Sequence, residues 1–155
     1  MKTRSIVLAL AALFAAATAS FAAQDPHMGT WKLNDAKSKI PAGVGKDATV
    51  VYAMAGDSVK ITVDGVDAGG KPTHNEWTGK FDGKDYPVTG DPANDTRSYK
   101  RVSTHVLALT DKKGGKVTIS GRIVVSADGK SRSTTLNSTD AKGNKVTRVE
   151  YYDKQ

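Results

Sequence analysis

Three histidines carry most of the chemistry this chain could offer: His27, His74 and His105. His74 and Glu76 stand two residues apart, so on a strand both project from the same face. That pair has the ligand types for a metal and the protonation states for acid–base work. Trp77 and Phe81 occupy the opposite face of the same run, which points the pair toward water. His105 is in phase with Leu107 and Leu109 and reads as a hydrogen-bonded structural histidine near a strand end. Haem ligation by one of the three is the weakest of these readings. Cysteine chemistry is excluded, because the chain has no cysteine. No serine sits in a Gly-x-Ser-x-Gly elbow. Asp64, Asp67, Asp82 and Asp85 fall near turns without the spacing of a calcium loop. Gly69-Gly70 and Gly114-Gly115 are too short to cradle phosphate, and no helix follows them. The expectation is therefore no enzyme, no catalytic residue, no metal and no cofactor.

The elements that must position any site are short strands. From about residue 48 onward, β-prone runs are punctuated by Ala55-Gly56-Asp57-Ser58, Asp67-Ala68-Gly69-Gly70-Lys71, Asp82-Gly83-Lys84, Lys113-Gly114-Gly115-Lys116, Ala127-Asp128-Gly129-Lys130 and Asp140-Ala141-Lys142-Gly143-Asn144. Each places Gly beside a residue that bonds its own backbone or tolerates a positive φ. Regular short strands joined this way form an antiparallel meander, and a meander this long hides its edges by closing. The predicted fold is all-β, an antiparallel up-and-down barrel of about 8–10 strands.

Along the chain, Gly29 to Asn34 is the first strand, with Trp31 and Leu33 on one face. Asn34 or Asp35 caps one helical turn, which Pro41, Gly43 and Gly45 then stop. Thr49 to Met54 is apolar on both faces. Val59, Ile61 and Val63 alternate with Lys60, Thr62 and Asp64 as a half-buried strand does. Pro87 makes 85–88 a poor edge strand. A tight turn at Ser103-Thr104 separates two further strands. Val117, Ile119, Gly121, Ile123 and Val125 share one face, and Gly121 marks a bend. Residues 131–139 are polar almost throughout, with Arg132, Thr134, Leu136 and Ser138 in one row. Either that strand forms an exposed wall, or a polar row looks into the barrel, where hydroxyls need partners or water.

Residues 1–22 read as a signal peptide: Lys2 and Arg4, an apolar stretch from Ile6 to Ala17, and small residues Ser20 and Ala22 at the −3 and −1 positions of a cleavage after Ala22, with Ala17-Thr18-Ala19 as a second site. Residues 23–155 form one domain, large enough for a core without staples. The expected location is periplasmic or secreted, with no transmembrane segment after signal removal. The formal charge is +7. The lysines are spread over turns, where they keep strand ends soluble, and no basic helix or aromatic stacking platform accompanies them. Nucleic acid is thus not an expected partner.

Gly29-Thr30-Trp31 resembles the Gly-x-Trp mark of the lipocalins and their calycin-type relatives. The longer pattern is similar to a group of exported bacterial lipocalin-like β-barrel proteins. It runs through Gly29-Thr30-Trp31-Lys32-Leu33-Asn34, Lys37-Ser38-Lys39, the stretch from Asp82-Gly83-Lys84 to Gly90-Asp91-Pro92, and Tyr152-Asp153-Lys154. The resemblance implies that Trp31 packs across a closed barrel end with a basic side chain from the last strand over it, and Arg148 is the matching candidate. The Thr-Asp-Tyr-like mark in mid-chain is not evident. The first connection is also too short for the helix pair of fatty-acid-binding barrels.

These readings converge on an exported barrel that binds a small hydrophobic or amphipathic molecule. The alternative is an envelope or extracellular structural or interaction domain without a small ligand. The expected inward, cavity-lining residues are Val59, Ile61 and Val63, then Trp77 and Phe81. Leu107, Leu109, Ile119, Ile123 and Val149 complete that set. Strand alternation gathers the Asp35–Asp47 connection with residues 67–71, 89–95, 111–116 and 140–145. Longer loops build binding surfaces, so the mouth is expected at that end.

Overall fold

The structure is a computed structural model that describes residues 24–155. The signal-peptide reading lies outside the described residues. Ten strands follow one another: β1 (Gly29–Leu33), β2 (Lys46–Ala55), β3 (Ser58–Val66), β4 (Pro72–Gly79) and β5 (Tyr86–Thr89). They continue as β6 (Thr96–Ser103), β7 (Val106–Lys113), β8 (Lys116–Val125), β9 (Ser131–Thr139) and β10 (Lys145–Lys154). Each pairs antiparallel with its chain neighbours, and β1 pairs with β10 to close the barrel, Trp31 opposite Lys154 and Leu33 opposite Tyr152. Among the described residues no helix is long and apolar enough to cross a membrane.

The turns work by the chemistry read from the sequence. Asp67, Asp128 and Asp140 each accept a backbone N–H two residues on, at 2.8, 3.0 and 2.9 Å. A later glycine in each turn takes a positive φ: Gly70 at 81°, Gly129 at 70° and Gly143 at 86°. The β6–β7 turn falls at Thr104-His105, one residue later than expected, so His105 is a turn residue and not the start of a strand. β5 joins its neighbours through two register pairs on each side, as befits a strand containing Pro87. Gly121 sits where β8 crosses close to β9: a Cβ there would lie 2.2 Å from the Thr135 carbonyl oxygen. Asn34 caps the turn after β1, accepting from the Lys37 amide at 3.2 Å.

The two ends differ. At one end, the lead-in segment 24–28 folds into the barrel. His27 and Met28 are buried there, Trp31 Nε1 donates to the His27 carbonyl at 2.9 Å, and Lys154 Nζ donates to the Pro26 carbonyl at 3.2 Å. Arg101 and Asp25 tie the segment to β6. The other end carries the connection from β1 to β2 and the loops around 67–71, 90–95, 114–115 and 140–144. Those loops gather at one end as strand alternation required.

Two of the sequence expectations fail here. Arg148 does not meet Trp31. It lies near the looped end, where its Nη1 donates to the Gly45 carbonyl at 2.7 Å and its Nη2 to Asp47 at 3.0 Å. Six residues of extended chain separate it from Lys154, the register partner of Trp31, a span of about 20 Å. Arg132 of β9 takes the place over Trp31, its Cζ 4.9 Å from the ring centroid, with Lys154 Nζ at 5.0 Å on the same ring. Val149 does not face inward either. Glu150 and Tyr152 are buried at 0% and 1% exposure, so β10 presents its Arg148–Glu150–Tyr152 row to the interior and turns Val149 outward. There Val149 pairs with Lys39 of the first connection. Hydrophobicity alone chose the wrong face because the interior at that level is charged. A smaller correction concerns Val117, which is 60% exposed. An irregularity opposite Asp111/Lys112 breaks the register between it and Ile119.

Candidate binding site

The closed half of the barrel is filled. Val59, Ile61, Trp77 and Leu107 are buried in it, and Phe81 packs there partly buried. Trp77 and Tyr99 meet edge to face at 4.7 Å, Phe81 stacks on Trp77 at 6.4 Å, and Tyr52 approaches both Phe81 and Tyr99. These five expected cavity residues are therefore packed core and do not line the inner cavity. Val63, Leu109, Ile119 and Ile123 do line a cavity nearer the looped end, of about 90 Å³. Val50, Tyr52, Tyr99, Leu136 and Tyr152 complete its apolar and aromatic wall. The space is small because Trp31, Tyr52, Trp77, Tyr99 and Tyr152 occupy what a ring of shorter side chains would leave open.

Charged groups form the cavity's roof. Arg97 of β6 donates through Nε and Nη2 to both carboxylate oxygens of Asp111 on β7, at 2.6 and 2.9 Å. Its Nη1 reaches Asn75 of β4 at 3.1 Å, and Asp91 of the 90–95 loop stands 3.7 Å from its Nη2. Arg148 pairs with Asp47, as above, and its Nε lies 3.7 Å from Glu150. Glu150 accepts from the Asp47 amide at 3.1 Å and from the Tyr152 hydroxyl at 2.9 Å. A β-bulge at Asp47/Thr49 explains how Asp47 comes to point inward: the extra residue, Ala48, re-aims the side chain before it. The inward row of β9 is Arg132, Thr134 and Leu136, all buried, so a polar row does look into the barrel.

The cavity floor is Arg132. Its Cζ lies 4.5 Å from the Tyr152 ring centroid and 5.0 Å from that of Tyr52, besides the Trp31 contact. Three aromatic faces thus hold a buried guanidinium, an arrangement that stabilises a cation without a carboxylate. Its Nε and Nη1, and the Thr134 Oγ1, have no hydrogen-bond partner among the described residues.

Outside the roof lies a vestibule of about 280 Å³, between the end of the first connection, the 67–71 turn and the 90–95 loop. Asp47, Asn75, Asp91, Ile119 and Arg148 border both spaces. The ion pairs of the roof are therefore a partition between an outer and an inner compartment at the looped end.

His74 and Glu76 lie outside this site. Both face water, as expected, and His74 Nδ1 bonds Asp64 at 2.6 Å, which raises the imidazole pKa. No group of three or more histidine, aspartate or glutamate side chains among the described residues is placed to hold a metal. The sequence reading missed Asp47, Asp111 and Glu150 as interior groups. One signal was available: a polar inward row on β9 calls for polar neighbours on β10, and Arg148–Glu150 is that row. Comparison with known protein families and with curated proteins finds no match to the chain.

Two buried groups give the barrel opposed pH dependences. Burial pushes His27 down from 6.5 to about 4, against the pull of Asp25. Below pH 6.5 the unfolded chain takes a proton that the folded chain refuses, so acid destabilises the fold, by about 3 kcal/mol once pH reaches the folded value. Burial and the charge of Asp47 push Glu150 up from 4.5 to about 7, with Arg148 opposing. There the folded chain keeps a proton that the unfolded chain has lost, so stability falls as pH rises from 4.5 toward 7. Glu150→Gln is therefore expected to gain stability relative to wild type on going from about pH 5 to about pH 8. Urea unfolding of both proteins at the two pH values measures this. A difference that does not change with pH refutes the assignment.

Proposed function

We propose that this is an exported, lipocalin-like, non-enzymatic barrel that takes up a small amphipathic molecule through its looped end. The observation that carries the reading is the pair of compartments. One end is plugged by residues 24–28, while at the other a vestibule and an inner cavity share a polar partition. A container with one sealed and one gated end is the arrangement a binding barrel needs. The basic side chains stacked on Trp31 at the sealed end, Arg132 and Lys154, fit the lipocalin resemblance. The apolar and aromatic wall suits the body of a ligand and the charged roof its polar end. Export rests on the character of residues 1–22.

The cavity's size favours a second reading. Drug-sized ligands occupy pockets of about 300–1,000 Å³, and 90 Å³ is far less. A barrel whose interior is filled for stability alone would serve as a structural or interaction domain. Native mass spectrometry of the freshly purified mature protein separates the two. The binding reading expects an added small mass that is lost on denaturation or can be restored by incubation with small amphipathic compounds. A bare mass under both conditions establishes the filled-barrel reading instead.

A further inference from the structure

We infer that the inner cavity is a site for the carboxylate group of a small organic acid, received by Arg132 and Thr134 at the cavity floor. The inference rests on the binding reading above and names the ligand's chemistry.

Three guanidiniums reach the interior. Arg97 and Arg148 have carboxylate partners in Asp111 and Asp47. Arg132 has none among the described residues, although it is 3% exposed, and its Nε and Nη1 lack any hydrogen-bond partner. Thr134, the next inward residue on β9 and 6% exposed, leaves its hydroxyl unpartnered as well. Both residues line the same cavity. Buried donors without acceptors are costly, and charged ones most of all. Stacking against Trp31, Tyr52 and Tyr152 holds the guanidinium plane but leaves its N–H edge to find an acceptor. An anion supplies both the acceptor and the missing charge.

Size and lining narrow the class. A cavity of about 150 Å³ takes the six carbons of benzene. In that proportion, 90 Å³ takes a molecule about the size of acetate. Val50, Val63, Leu109, Ile123 and Leu136 face the donors with apolar surface, which suits a hydrocarbon tail and not a bare inorganic ion. A longer tail has one direction to grow, through the roof into the vestibule.

Glu150 tunes the site. It pairs in register with Thr134, so its charge opposes a bound carboxylate. The groups around it are Asp47 from β2, Arg132 from β9, Arg148 and Tyr152 from β10, and Arg97 with Asp111 across the roof. Protonation of Glu150 removes the repulsion, so binding strengthens as pH falls through about 7.

The test is calorimetric titration of the full mature chain in chloride-free buffer with acetate, butyrate and hexanoate, each beside its primary amide. Tryptophan fluorescence, to which Trp31 directly under Arg132 contributes beside Trp77, is followed in parallel. The expected result is carboxylate binding at least ten-fold tighter than that of the matched amide, and tighter at about pH 6 than at about pH 8. Thr134→Val, nearly isosteric, is expected to fold normally and to weaken carboxylates several-fold. Arg132→Gln is expected to abolish their preference over amides. Equal binding of acids and amides, or full-strength acid binding in Thr134→Val and Arg132→Gln, overturns the carboxylate site while leaving the binding barrel standing. Failure of every acid and amide to bind, together with a bare native mass, overturns both.

Discussion

Trp31→Ala is expected to destabilise the barrel by about 3–5 kcal/mol, the cost of removing a large buried aromatic. Trp31 is fully buried. Its ring carries Arg132 on one contact and Lys154 on another, and its indole N–H holds the carbonyl of His27 in the segment that plugs the closed end. The substitution leaves a cavity under a buried guanidinium and releases the plug together. Trp31→Phe keeps most of the volume and a π face but loses the hydrogen bond, so it should cost clearly less. Urea unfolding of the three proteins gives the order. A loss below about 1 kcal/mol for the alanine variant, the size of a surface change, contradicts the closed-end assignment.

Asp111→Ala is expected to cost a similar amount, about 3–5 kcal/mol, for a different reason. It strands the buried Arg97 guanidinium, whose Nε and Nη2 both lose their acceptor. Asp91, 3.7 Å from Nη2, offsets only part of this. Replacing both partners, Arg97→Met with Asp111→Leu, removes the charge as well as its acceptor. That double variant should recover most of the loss, because a buried pair is worth little more than apolar residues of like volume. Additive losses, measured in a double-mutant cycle, would show that Arg97 and Asp111 do not act as a pair. The double variant also dismantles part of the partition between vestibule and cavity. It therefore separates stability from the proposed binding: a double variant that folds but lacks the small-molecule binding of the wild type places Arg97 in the proposed gate.

The sequence by itself determined the barrel. Asp beside Gly at regular intervals fixes turns locally, through one carboxylate and one backbone conformation, with no reference to the rest of the fold. Alternation in 59–63 and 119–125 then sets which face is buried, and strand parity sends the long connections to one end. These are short-range rules, and they survive into the structure. The tertiary structure decided which side chains the interior holds. The apolar choice of Val149 over Glu150 failed because the inward face of β10 is set by closure against β1 and β9, and its neighbours there are Thr134 and the bulged Asp47. Arg148 and Arg132 are interchangeable as letters. Only the register, Trp31 against Lys154 and Tyr152 against Arg132, tells which one reaches Trp31. The cavity was beyond the sequence for the same reason. Its 90 Å³ is the small remainder left when five large aromatic side chains and three guanidiniums from different strands meet, and no single strand carries that information.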